Sequence, residues 1–189
     1  MLDTVRNLVG SCLRGDQRAM YALVEQYQGR VFGLCCRMLG NRQDAEDATQ
    51  ETFIRVLHSL GCWDATREFE PWLLAIAANR CRTALSARKR RRDCRSMIEN
   101  SAADSSAEDA DASHLAEEVA KGLQRLRCEH REAFVLFHEH GLSYEQIAEM
   151  NQRPLGTIKT WIHRARRELM DYLVERDVVP ESEHVLRDV

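Results

Sequence analysis

The stretch that decides the reading of this chain is LSYEQIAEMNQRPLGTIKTWIHRARREL, Leu142–Leu169. Ser143, with Gln146 three residues on, is a capping-box pattern; it predicts a helix starting at Tyr144 that buries Ile147 and Ala148. Asn151 to Arg153 make a short turn, and Pro154 opens a second helix. On that helix Leu155, Ile158, Ile162, Ala165 and Leu169 fall within an arc of roughly 80° at 3.6 residues per turn. Thr160, His163, Arg164 and Arg167 centre on the opposite side, with Lys159 and Arg166 on one shoulder and Trp161 on the other. Between Arg153 and Arg167 there are five basic residues and no acid. Two short helices with a tight turn, the second amphipathic and basic, describe a helix-turn-helix whose second helix enters the major groove. Arg and Lys there would neutralise phosphates, and Arg can also pair bidentately with guanine. The plainer alternative is a basic helix solvated on one face.

The rest of the chain is read outward from this motif. Its 189 residues suffice for one medium domain or two small ones. Apolar residues make up 44%, aromatics 6% and charged residues 30%, with Gly and Pro sparse, a mix that favours helices over strands. The net charge of -3 says little, because the charge is sorted into blocks. From Asn79 to Arg95 there are eight basic residues and one acid; from Ser96 to Ala120 there are seven acids and no Lys or Arg. The seven cysteines are odd in number and contain no CxxC pair, which fits reduced thiols of a cytoplasmic protein packed as small hydrophobes. The longest apolar run, WLLAIAA (Trp72–Ala78), is too short to span a bilayer, and no metal-ligand spacing is visible.

The organisation is all-α, with two small helical domains joined by a flexible acidic linker. Residues 1–92 read as helices with short breaks at Gly15, at Gly40-Asn41 and at Gly61. Residues 93–113, which include SAADSSAEDADAS, have no large apolar residue after Ile98 and read as the linker. Residues 114–174 return to helical periodicity, and 175–189 form a polar tail. In the first domain Leu23, Tyr27, Val31, Leu34 and Met38 mark one buried stripe, and Ala45, Ala48, Phe53, Val56, Leu57 and Leu60 another. The other side of that second helix displays Asp47, Gln50, Glu51 and Ile54. After the loop CWDATREFE, Pro71 suits the first turn of a further helix. That helix is apolar all round at first, turns polar from Asn79 and runs out into RKRRR.

Three stretches together resemble a known family. DAEDATQETFIRVL (Asp44–Leu57) resembles the core-polymerase-binding helix of sigma domain two. WDATREFEPWLLAIAANRCRTAL (Trp63–Leu85) resembles the promoter-melting and -10-recognition segment. Leu126–Leu169 resembles sigma domain four. In order and spacing the chain resembles a bacterial RNA polymerase sigma factor of the extracytoplasmic function (ECF) type over roughly residues 10–173. The resemblance implies that Asp47, Gln50, Glu51 and Ile54 dock on core RNA polymerase. It implies that Trp63 and Phe69 lie in the loop that holds unpaired bases of the -10 element, where aromatic faces suit stacking. Asn79 and Thr83 share the polar side of the helix that follows; Asn79 would read a flipped base, and Arg80, Arg82 and Arg88–Arg92 would hold phosphates. Phe69 and Trp72 can also be read as core, and the arginine run as a solvated helix end. In domain four, Arg153, Lys159, Thr160, His163, Arg164 and Arg167 would meet the -35 element. Trp161 stands where many relatives carry Arg.

The implied role is positioning rather than catalysis, with no cofactor or metal. The implied partners are core RNA polymerase, promoter DNA and an anti-sigma factor. A free-standing helix-turn-helix regulator that binds duplex DNA without polymerase is the competing reading. No paired carboxylates, nucleophile–base set or phosphate-cradling glycine loop supports an enzyme.

Overall fold

A computed structural model describes residues 2–96 and 112–180; the acidic stretch expected to be a flexible linker falls largely outside them, as do the last nine residues of the tail. The described residues form eight α-helices and no strand. The N-terminal bundle comprises α1 (Leu2–Leu13), α2 (Gln17–Leu39), α3 (Arg42–Ser59) and α4 (Phe69–Ser96), with a 3-10 turn at Leu60–Cys62. The C-terminal bundle comprises α5 (Ala112–Arg125), α6 (Cys128–His138), α7 (Tyr144–Asn151) and α8 (Leu155–Glu175). Helix α4 runs on through the arginine run to Ser96. No described helix is long and apolar enough to cross a membrane.

Local chemistry sets the helix ends. The Asp16 carboxylate accepts from the amides of Arg18 and Ala19, and Asn41 Oδ1 accepts from Asp44 N at 2.9 Å, so each satisfies donors left over in a first turn. Between these two starts, Gly40 ends α2 in the left-handed region at φ 66°. A side chain there would also run into Gln124 of α5, 2.5 Å from an added Cβ. Phe69 opens α4, and Pro71 lies in its first turn as expected, where its missing N–H costs nothing.

Helix α2 is the centre of the molecule and packs against α1, α3 and α4 on its own side and α5 and α6 on the other. Its expected stripe, Leu23, Tyr27, Val31, Leu34 and Met38, is buried throughout. Leu73, Leu74, Ala77, Ala78 and Cys81 of α4 close the N-terminal core. Cys81 Sγ lies 3.6 Å from Cys35 Sγ across α2 and α4; the hydrogen bond to Cys35, and after it burial, raises the Cys81 thiol, and both remain free. In the C-terminal bundle Leu123, Ala133, Val135, Leu136, Ile147, Ile158, Ile162 and Ala165 form the apolar centre.

Two features join α5 to α8. Gly122 lets the helices approach closely: an added Cβ would sit 2.6 Å from Leu169 and 2.7 Å from the Tyr172 ring. Beside it the buried Glu118 carboxylate accepts from Tyr172 Oη at 2.9 Å, Lys121 Nζ at 3.1 Å and Arg176 Nε at 3.2 Å. These donors, the tyrosine hydroxyl first, hold its pKa down to about 2. Because the folded value lies below the unfolded one, near 4.5, this stabilisation is complete above about pH 4.5 and fades as pH falls toward 2. Glu118→Gln should therefore melt below wild type at pH 7, with the gap closing between pH 4.5 and 2 in thermal scans followed by circular dichroism. Gly122→Val should destabilise the fold by about 1–3 kcal/mol in urea titrations, through overpacking against Leu169 and Tyr172.

Candidate functional site

Three outward faces carry the residues singled out in the sequence. On α3, burial of Ala45, Ala48, Thr52, Phe53 and Val56 against α2 and α4 forces the opposite side outward. Asp47, Gln50, Glu51 and Ile54 stand there at spacings of three and four, all exposed. Ile54 is 59% exposed, one of the few large apolar side chains left uncovered among the described residues.

The second face belongs to α4. Asn79 and Thr83 are exposed, and Thr83 Oγ1 donates to the Asn79 carbonyl at 2.9 Å. Arg80 is ion-paired with Glu51, and Arg88 Nη1 lies 4.0 Å from Asp44 Oδ2. The acidic side of α3 and the basic side of α4 therefore adjoin and share ion pairs. Arg82, its side chain 32% exposed, turns toward the C-terminal bundle. One guanidinium nitrogen donates to Asn79 Oδ1 at 2.5 Å. The other donates to both Glu132 carboxylate oxygens, at 2.5 and 2.6 Å, and to Asn151 Oδ1 at 3.1 Å.

Trp63 and Phe69 do not form an exposed stacking platform. They are 8% and 3% exposed, meeting edge to face at 5.3 Å, and Phe69 also lies 5.2 Å from Tyr27 and 5.5 Å from Trp72. Aromatic rings this large stabilise most when buried, and the four close the end of the N-terminal core. What the loop above them presents is polar: Asp64 accepts from the Thr66 amide at 2.9 Å and its hydroxyl at 2.7 Å.

The third face is on the helix-turn-helix. The capping box is formed in both directions: Gln146 N donates to Ser143 Oγ at 3.2 Å and Ser143 N to Gln146 Oε1 at 2.8 Å. Gln152 takes the left-handed conformation at φ 50° and turns the chain into α8. Ile158, Ile162, Ala165 and Leu169 are buried, whereas Leu155 at the helix start is 36% exposed. Arg153, Lys159, Thr160, His163, Arg164 and Arg167 are all exposed. Trp161 is half-buried, its ring 6.4 Å from that of His130, so it packs on the bundle from the shoulder of the basic face. No group of three or more His, Cys, Asp or Glu side chains able to hold a metal occurs among the described residues.

The sequence reading missed the polar seam between the bundles. Arg131 and Glu132, adjacent on α6, are 6% and 2% exposed. Arg131 donates to the carbonyl of Met38 at the end of α2, to Gln124 Oε1 at 2.5 Å, and to the carbonyls of Gln124 at 2.9 Å and Leu126 at 3.2 Å. Gln124 Nε2 in turn donates to the Arg37 carbonyl at 2.8 Å. Burial lowers the Arg131 pKa and raises that of Glu132, with Arg82 opposing the latter. The available signal was in HREAFVL, where two charges interrupt a short helix that is otherwise apolar.

Both bundles are similar to known proteins. Residues 23–91 match the family model "Sigma-70 region 2" and residues 116–169 match "Sigma-70, region 4". The RNA polymerase sigma-H factor of Pseudomonas aeruginosa is 34% identical over 87% of this chain and 91% of its own length. The ECF RNA polymerase sigma factor SigW of Bacillus subtilis is 33% identical over 89% and 96%. In fold, the sigma factor RpoE of Bartonella quintana, solved with the anti-sigma factor NepR, superposes with a TM-score of 0.67 at 24% identity, covering 81% of this chain and 95% of that one. With two sigma regions in order and full-length relatives above 30% identity, the chain belongs to the ECF family of RNA polymerase sigma factors.

Proposed function

We propose that this sigma factor divides its work among the three faces. Asp47, Gln50, Glu51 and Ile54 on α3 dock on core RNA polymerase. Asn79, Thr83, Arg80 and Arg82 on α4 meet the -10 element, with Trp63 and Phe69 supporting the 63–68 loop from the core. Arg153, Lys159, Thr160, His163, Arg164 and Arg167 read the -35 element. The domains are residues 1–92 and 114–174, with the acidic segment 93–113 between them and a polar tail after 174. The role is positioning: capture of bases exposed only in the open bubble shifts the melting equilibrium, and no covalent step is required. It is exercised in the cytoplasm, on core polymerase and promoter DNA. The RpoE structure of the same fold contains an anti-sigma factor, and we infer a partner of that kind for this chain.

The observation that carries this reading is the α3 face, an exposed isoleucine ringed by Asp47, Gln50 and Glu51 beside the basic side of α4. A free-standing duplex-DNA regulator has no use for such a face. Gln50→Ala/Glu51→Ala should weaken co-elution with bacterial core RNA polymerase by at least about tenfold, about 1.4 kcal/mol, while far-ultraviolet circular dichroism stays unchanged. Unchanged co-elution rejects the docking face. On α8, Arg164→Ala/Arg167→Ala should flatten the plot of log affinity against log salt by about 2 on a generic duplex oligonucleotide, about 0.9 per lost phosphate contact. An unchanged slope rejects that reading face.

A further inference from the structure

The 63–68 loop is shaped from outside as well as from within. Its sequence, WDATRE, holds no glycine. Arg67 N donates to the Asp64 carbonyl at 3.0 Å and closes a four-residue turn. Asp64 Oδ1 accepts from the Thr66 hydroxyl and amide, so the side chain closes the same turn a second time. Those two donors, the hydroxyl first, hold the Asp64 carboxyl below its usual range, so it stays an acceptor at neutral pH. From α1, Arg6 Nε donates to the Ala65 carbonyl at 2.6 Å, across 59 positions of chain.

The carbonyl that Arg6 takes belongs to the central peptide of the turn. The two common turn types differ by a flip of that peptide, and the flipped form needs a positive φ at the third residue. Thr66 stands there with a negative φ, and a β-branched side chain resists the change. Arg6 holds the same peptide by its oxygen. The helix that carries Arg6 is itself anchored. Val5, Val9 and Cys12, at spacings of four and three, are buried on one side of α1, which also packs on the 3-10 turn at Leu60–Cys62 that leads into the loop. Arg6 is half-buried beside Val5. Trp63 and Phe69 pin the two ends of the loop to the aromatic core, and Arg6 pins its middle.

We infer that Arg6 is a positioning residue for base recognition: it holds the 64–67 turn in one shape before DNA arrives, so that a flipped base meets a prebuilt loop. A loop left loose must be ordered on binding, which costs conformational entropy. A loose loop also re-forms around a wrong base, so loss of the contact lowers discrimination more than total binding. Arg6 lies outside residues 23–91, which match the region 2 model, so the match itself assigns it nothing. The inference rests on the assignment of the 63–68 loop to the -10 element.

The test uses the full chain bound to core RNA polymerase and a pool of single-stranded oligonucleotides randomised over six positions. Wild type should enrich particular bases. Arg6→Leu should lower the ratio of favoured to disfavoured base about fivefold, the factor carried by about one net hydrogen bond. Its affinity for core polymerase and its plot of log oligonucleotide affinity against log salt should keep the wild-type values. Arg6→Lys, which can still donate to the Ala65 carbonyl, should restore most of the preference. Equal enrichment by wild type and Arg6→Leu overturns the inference. A salt slope shallower by about 0.7 also overturns it, because Arg6 would then be a phosphate contact. So does a matching loss of polymerase binding, because the contact would then serve the bundle as a whole. A wild type that binds polymerase and enriches no base rejects the -10 reading itself, and the role of Arg6 with it.

Discussion

Two neighbouring charges on α6 organise everything that lies between the bundles. An α-helix ends with carbonyls that have no partner within it and with the negative end of its dipole. Helix α2 ends beside the C-terminal bundle, and the Arg131 guanidinium and Gln124 amide are the donors that meet the Met38 and Arg37 carbonyls. Glu132, one residue on, takes Arg82 from the opposite bundle. Each buried charge finds a partner contributed by the other half of the chain. Hydrogen-bond geometry, which is directional, fixes the register of the two bundles, beside the apolar contact of one continuous buried cluster.

The cores behave differently. Leu23, Leu34 and Met38 in one bundle, and Ile147, Ile158 and Ile162 in the other, are buried in one continuous apolar cluster. Removing them from their surroundings would cost several kcal/mol apiece. The seam instead exchanges protein–protein hydrogen bonds for solvent or ligand ones. The adjoining acidic and basic sides of α3 and α4 are tied by the Glu51–Arg80 ion pair.

The helical plan was legible residue by residue. The 3.6 periodicity of α2 and α8, the Ser143–Gln146 box and the Gly40-Asn41 break each rest on local rules, and each lies where those rules place it. The exposed sets on α3 and α8 followed from the same periodicity, because burying one side of a helix determines the other. The aromatic loop was less legible. Trp63 and Phe69 suit stacking on bases as well as burial, and only the presence of Tyr27 and Trp72 beside them decides for the core. Trp161 is ambiguous in the same way, and its contact with His130 decides for packing on the bundle.

The sequence by itself determined the elements, their caps, their apolar sides and the family, since these depend on residues three or four apart or on ordered motifs. The tertiary structure alone decided what Arg82 touches, why Arg131 and Glu132 interrupt an apolar helix, and how closely α5 and α8 approach at Gly122. Those contacts join residues roughly 50 to 90 positions apart: Arg82 to Glu132, Met38 to Arg131, Glu118 to Tyr172. A charge carries no mark in the sequence of the partner it will meet. A helix face says that something covers it, and only the packed chain says what.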